Sequence, residues 1–204
     1  MPSLVNPVFV VGLPGVADIG RMASSFLIDF VNGKLFAEYY SQFFPDYVIV
    51  NDGVCRLPRV EFYESADSAP NLILLKGDGE IAFDEPQAYY CVCDDIVRFA
   101  LKLKAEKIFV LGGVRAEGED VIYATATTPA LTRNLEKEGA KILRKVELLG
   151  MDGLILGLSK LRGLEASGIF GATSALTPDR DAALSIFKFV IKTLNLKRIR
   201  AGSG

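Results

Sequence analysis

Three segments of this chain hold the residue types that bind ligands or do chemistry. Gly12-Leu13-Pro14-Gly15 lies between an apolar run and an amphipathic one, where free backbone N–H groups and the positive end of a helix can receive an anion. Asp78, Glu80, Asp84 and Glu85 gather in a second segment, and paired carboxylates bind a hard cation or share acid–base work. Gly112-Gly113-Val114-Arg115, followed by Glu117, Glu119 and Asp120, makes a third, in which Arg115 would clamp an anion. Each segment also has a plainer reading. Residues 12–15 meet neither the Walker A pattern nor G-x-G-x-x-G, and Asp18 would repel phosphate while complementing the helix dipole. Asp84 fits a helix cap and the other carboxylates a solvated loop.

The remaining chemistry is narrowed by what the chain lacks. It has no histidine, which removes the commonest general base, metal ligand and physiological pH switch together. Cys55, Cys91 and Cys93 form an odd set with no framework spacing, and Cys91 and Cys93 fall on different faces of a predicted helix. None stands at a predicted helix start, where a thiolate would be activated, so all three are expected as reduced thiols. No G-x-S-x-G occurs. The sequence therefore offers no catalytic constellation, no metal cluster and no cofactor motif. A net charge of −2 gives no general attraction to nucleic acid or anionic membrane. No apolar run approaches the ~20 residues of a membrane span, and the N-terminus lacks the pattern of a signal peptide, so a cytoplasmic protein is expected.

The elements that must position these segments alternate. Residues 8–11 read as a strand covered on both faces, and the apolar positions from Ile19 to Val31 as one helix face closed by Asn32-Gly33. A strand is expected over 34–41, then a hairpin over 47–63 turning at Asn51-Asp52-Gly53 and interrupted at Pro58. Near it, Tyr39, Tyr40, Phe43 and Phe44 form an aromatic cluster beside Pro45, core by default and a partner surface where exposed. Residues 72–75 read as a strand, and Asp84-Glu85-Pro86-Gln87 as a capped helix start. A strand over 108–111 is stopped by Gly112-Gly113. Further strands are expected at 121–126, 141–148 and 165–170. Helices are expected from Thr128-Pro129 to about Glu138, over 154–161, and from Thr177-Pro178 to Asn195. The pattern predicts one α/β domain over residues 1–200, a three-layer fold with a mostly parallel sheet flanked by helices and an antiparallel hairpin. Residues 201–204 read as a flexible tail, of the kind cloning leaves behind.

Taken in order, these residues resemble the proteasome assembly chaperone two family, its archaeal and bacterial relatives included. The resemblance runs through Val10-Val11-Gly12-Leu13-Pro14-Gly15-Val16, Phe44-Pro45, Asp52-Gly53-Val54-Cys55-Arg56-Leu57-Pro58 and Phe62-Tyr63. It continues through Leu72-Ile73-Leu74-Leu75-Lys76-Gly77-Asp78, Val110-Leu111-Gly112-Gly113, Thr125-Ala126-Thr127 and residues 168–179. It implies a fold similar to that of nucleoside phosphorylases and an oligomeric, cofactor-free protein-binding role rather than an enzyme. It also implies that relatives assemble or dock on proteasome α-subunit rings through a tail of hydrophobic residue, tyrosine and any residue. This chain departs there, because Ile199-Arg200-Ala201-Gly202-Ser203-Gly204 contains no tyrosine.

Two functional expectations follow. The first is a homo-oligomeric chaperone-like factor with proteasome α-subunits as a further partner. In it Lys197-Arg198-Ile199-Arg200 either touches an acidic partner or simply suits the end of the last helix. The alternative is a protein or enzyme for a nucleotide or phosphate-type anion. It would use a pocket of Gly12, Leu13, Pro14, Gly15, Asp78, Gly112, Gly113 and Arg115, with Asp78 or Glu80 as base.

Overall fold

A computed structural model describes residues 4–79, 81, 86–118 and 120–197. In chain order the elements begin with β1 (Val8–Gly12), a short 3-10 turn (Val16–Asp18), α1 (Ile19–Phe30) and β2 (Lys34–Tyr39). Then come β3 (Ile49–Asn51), β4 (Val54–Arg56), β5 (Val60–Ser65), β6 (Leu72–Gly77), α2 (Pro86–Lys102) and β7 (Lys107–Arg115). The chain ends with β8 (Ile122–Ala126), α3 (Pro129–Lys137), β9 (Lys141–Ile142), α4 (Gly150–Leu161), β10 (Glu165–Thr173) and α5 (Arg180–Leu194).

Eight strands form one sheet in the order β2-β5-β6-β1-β7-β10-β8-β9. Its centre, β6-β1-β7-β10, is parallel throughout, while β5, β2 and β8 add antiparallel margins. The unbroken apolar runs follow from this arrangement, since a central parallel strand must be apolar on both faces. In β1, Val8 and Val10 join the core beneath α1 and α5, while Phe9 and Val11 join the one beneath α2 and α4. All four are buried, each contributing roughly 1.5–3 kcal/mol of transfer free energy. The hairpin β3–β4 stands apart as a separate two-stranded sheet.

Several sequence expectations need correction. Strand β7 does not stop at Gly112-Gly113; it pairs with β10 residue for residue through Thr173 opposite Arg115. Glycine is needed there for space rather than for a turn. A Cβ at Gly112 would lie 2.3 Å from Asp152 Oδ2, and one at Gly113 would lie 2.7 Å from the Val16 carbonyl oxygen. Of residues 141–148 only Lys141–Ile142 forms a strand; Leu143 and Leu148 lie half-buried against the core, and the stretch between them, Arg144 to Glu147, is exposed and does not extend the ladder. The last helix begins behind Asp179, whose carboxylate accepts the Ala182 N–H at 3.0 Å, and not at Thr177-Pro178. Asn32, at φ 50, makes the left-handed exit of α1 that the sequence assigns to the Asn-Gly pair. The predicted cap Asp84, with Glu80, Glu85 and Glu119, lies outside the described residues.

Candidate docking site at the carboxyl edge of the sheet

Strands β6, β1, β7 and β10 all end at one edge, where the crevice of an open α/β sheet receives its ligands. The residues singled out by sequence do come to this edge. Gly12 lies level with Lys76 of β6 and Leu111 of β7, so residues 12–15 and Asp78 leave neighbouring strands together, while β7 runs on beside β10 through Gly112 to Arg115. The space between them is occupied by the chain itself. Leu13 is 2 % exposed, and it and Pro14 approach Gly77 so closely that a Cβ there would meet them at 2.9 and 3.3 Å. On the other side Val16 and Ile19 lie against Gly113.

The charged groups at the edge are turned toward other parts of the fold. Asp78 receives a two-pronged contact from the Arg56 guanidinium of β4, one prong at 2.9 Å, and the Arg59 backbone N–H at 3.0 Å. Burial alone would raise its pKa; these donors outweigh burial and hold the carboxyl below the ordinary aspartate range. Arg115 Nη1 donates to the Ala175 carbonyl rather than standing free as an anion clamp. Asp179 takes the Thr173 hydroxyl at 2.6 Å, and its own N–H reaches the Ala17 carbonyl at 2.9 Å, tying the first βα turn to the start of α5.

Next to Asp78 runs a ladder of charges that sequence reasoning missed. Register places Glu38 of β2, Glu61 of β5 and Lys76 of β6 in one row. Like charges opposite one another would destabilise the pairing, and Arg59 resolves this by bridging Glu61 at 2.6 Å and Glu38 at 2.7 Å. Tyr63 donates to Glu61 at 2.7 Å. Burial would raise the Glu61 pKa, but the tyrosine hydroxyl, Arg59 and Lys76 bring it below its ordinary value. The signal in the sequence was alternation: Arg59, Glu61 and Tyr63 interleave with the buried Val60 and Phe62.

Two cavities open along this edge. One, of about 300 Å³, lies at the foot of the hairpin between Tyr40, Phe44, Pro45, Leu57 and Pro58. The aromatic cluster thus divides: Phe44 is buried with its ring edge-on to Tyr39 at 5.8 Å, while Tyr40 is half exposed. The other cavity, of about 780 Å³, lies beside the start of α5 and carries Glu117, Asp120, Asp179 and Asp181 against Lys188. Its acidic lining disfavours an anion. Among the described residues no group of three or more His, Cys, Asp or Glu is placed to hold a metal ion. None of their helices is long and apolar enough to cross a membrane. Of the basic tail, Lys197 is exposed, and Arg198, Ile199 and Arg200 lie outside the described residues.

The model of the PAC2 family matches residues 9–202. An uncharacterised protein of Methanocaldococcus jannaschii is 27% identical over 201 residues, covering 95% of this chain and 76% of that protein. The crystal structure of Pyrococcus furiosus PbaB, an archaeal proteasome activator, superposes with a TM-score of 0.89 at 26% identity, over 97% of this chain and 87% of that one. Pyrococcus furiosus PbaA, an archaeal homologue of proteasome-assembly chaperone, superposes at 0.81 with 27% identity, over 96% of this chain and 80% of that one.

Proposed function

The chain belongs to the PAC2 family, and from that premise we propose that it is a non-enzymatic binding factor for proteasome α-subunits, working in the cytoplasm as a homo-oligomer. The observation that carries this reading is the likeness to PbaB, which extends over nearly all of both chains. The chemistry of the edge supports it. Asp78 and Arg115, the groups an anion-handling site would use, are engaged with Arg56, Arg59 and Ala175 of the same chain. On the side of Asp78 and the hairpin that Arg56 ties to it, the exposed side chains of Tyr40, Tyr47, Val48, Val50, Val54 and Leu57 offer the apolar, aromatic surface that protein interfaces favour. The test is mass spectrometry of what co-purifies with the protein from an extract of its native cell. Proteasome α-subunits retained at physiological salt are the expected result. An eluate free of them sinks the proposal.

A further inference from the structure

We infer that Asp52-Gly53, at the tip of the hairpin β3–β4, is a site of spontaneous covalent modification, where the aspartate converts to isoaspartate through a cyclic imide. The step needs no reagent beyond water. The Gly53 backbone nitrogen attacks the side-chain carboxyl carbon of Asp52 and forms a C–N bond. The carboxyl hydroxyl leaves with the amide proton as water, and a five-membered ring results. Hydrolysis returns that water. Opening at the side-chain carbonyl restores aspartate. Opening at the main-chain carbonyl routes the backbone through Cβ and Cγ of residue 52 and leaves the former main-chain carboxyl as a free carboxylate.

Glycine shields the attacking nitrogen least, and four Asn or Asp residues precede one: Asn32, Asp52, Asp78 and Asp152. The fold withdraws three of them. Gly33 donates its N–H to the Ile28 carbonyl at 2.8 Å, so the nitrogen that would attack Asn32 is tied into the exit of α1. The Asp78 carboxylate is held by the Arg56 guanidinium at 2.9 Å and the Arg59 N–H at 3.0 Å. Asp152 and Gly153 lie within α4, where a Cβ on Gly153 would stand 2.1 Å from the Leu148 carbonyl oxygen. Asp52-Gly53 is open on every count. Both residues are exposed, and nothing lies within 4 Å of a Cβ placed on Gly53. Among the described residues neither the Asp52 carboxylate nor the Gly53 N–H has a hydrogen-bond partner. Their φ values of 49 and 80 are those of a tight two-residue turn, in which the flanking Asn51 and Val54 pair and the turn itself faces water. The hairpin is also a two-stranded sheet of its own, a unit of marginal stability whose tip opens readily. Isoaspartate lengthens this turn by one backbone atom, and a turn that depends on two α-linked residues of positive φ cannot absorb it. The Asn51–Val54 pairing is lost, and the exposed Val50 and Val54 are rearranged. The inference stands whether or not that surface docks a partner.

The experiment ages the native protein in mildly acidic to neutral buffer, with a parallel sample unfolded in urea. Isoaspartate is located by peptide mapping with electron-transfer fragmentation. It is counted with an S-adenosylmethionine-dependent methyltransferase specific for isoaspartate, whose labelled methyl group passes to the freed carboxylate. In the native sample conversion at residue 52 should run at least about tenfold faster than at 32, 78 or 152, a ratio that urea removes. Two variants test the ring. Asp52→Asn closes the same ring with ammonia as the leaving group and should convert at least about tenfold faster than wild type. Asp52→Glu keeps the charge but would need a six-membered ring, and should reduce native methyl acceptance to background. Native protein that stays intact at 52, or in which the other three positions keep pace with it, overturns the inference. So does an Asp52→Asn variant no faster than wild type.

Discussion

Replacing Gly12 by alanine would place one methyl group where β1 meets α1. Its Cβ would stand 2.3 Å from the Gly20 carbonyl oxygen and 2.4 Å from the Ser24 Cβ, against an ordinary contact of 3.4 Å or more. Neither obstacle is the free end of a side chain, so α1 itself must retreat by about 1 Å. That helix is pinned: Ser24 Oγ donates to the Leu75 carbonyl at 2.9 Å, and Ile19, Ala23 and Leu27 are fully buried beneath it. Overpacking costs roughly 1–3 kcal/mol, and an obstruction by backbone belongs at the top of that range, about 3 kcal/mol. For a chain of this length each kcal/mol moves the thermal midpoint by about 2–4 °C, so Gly12→Ala should melt roughly 6–12 °C below wild type. Gly15→Ala is the control within the same turn. Gly15 has an extended φ of 178, and the nearest atom to its Cβ would be Asp152 Oδ2 at 4.0 Å, so its cost should stay within about 0.5 kcal/mol. Thermal and urea unfolding of both variants provide the assay. A Gly12→Ala protein that melts with the wild type would refute the steric reasoning. If it also lost its partner, the glycine would have to be reassigned to docking.

Acid should loosen the hairpin before it unfolds the chain. Asp78, Glu61 and Asp179 have depressed pKa values in the fold, so their stabilisation is complete above the ordinary values near 4 and fades as pH falls through the native ones. Urea midpoints should therefore fall below about pH 4, and Asp78→Asn should flatten part of that fall while costing roughly 1–2 kcal/mol at neutral pH; an unchanged acid limb would contradict the Arg56–Asp78 assignment. The thiols should separate by burial. Cys55 and Cys91 are exposed and should react with a chromogenic disulfide in the native protein, while Cys93, whose thiol burial pushes to about 12, should react only on unfolding. Three fast thiols would show that α2 does not bury Cys93 against α4.

The architecture was legible because its signals are local and redundant. Apolar runs at residues 8–11, 72–75 and 108–111 could serve only as doubly covered strands, and Asp52-Gly53 turns the hairpin as its composition predicts. Thr128-Pro129 caps α3 as read, its hydroxyl accepting the Leu131 N–H at 3.3 Å. The misreading of Gly112-Gly113 has a physical cause, the same residue serving for turning or for closeness. Gly112-Gly113 looks like a strand stop, yet it lies in mid-ladder because Asp152 and Val16 press against it. Whether a glycine turns the chain or admits a neighbour depends on residues some forty or a hundred positions away. Partners of the charged groups were hidden for the same reason, since nothing near Asp78 in sequence points to Arg56, 22 residues earlier.

The carboxyl edge of a parallel sheet is where this architecture usually keeps a small ligand. In this chain the edge is bound up with the fold instead. Pro14 closes on Gly77, Arg56 locks the hairpin to Asp78, Arg115 holds the 174–178 loop through Ala175, and Asp179 ties α5 to Ala17. Each of these contacts removes freedom from a loop that a ligand-binding site would need to move. The same contacts benefit a docking surface, because loops ordered in advance lose little entropy when a partner arrives. The hairpin extends that logic. Its base is fixed by an ion pair while its outer face stays apolar and exposed, an arrangement costly for an isolated monomer and well suited to association. Fold alone does not carry function. What favours protein recognition over small-molecule chemistry here is where the polar groups are spent, on holding the edge together, and where the apolar ones are left, on the hairpin that projects from it.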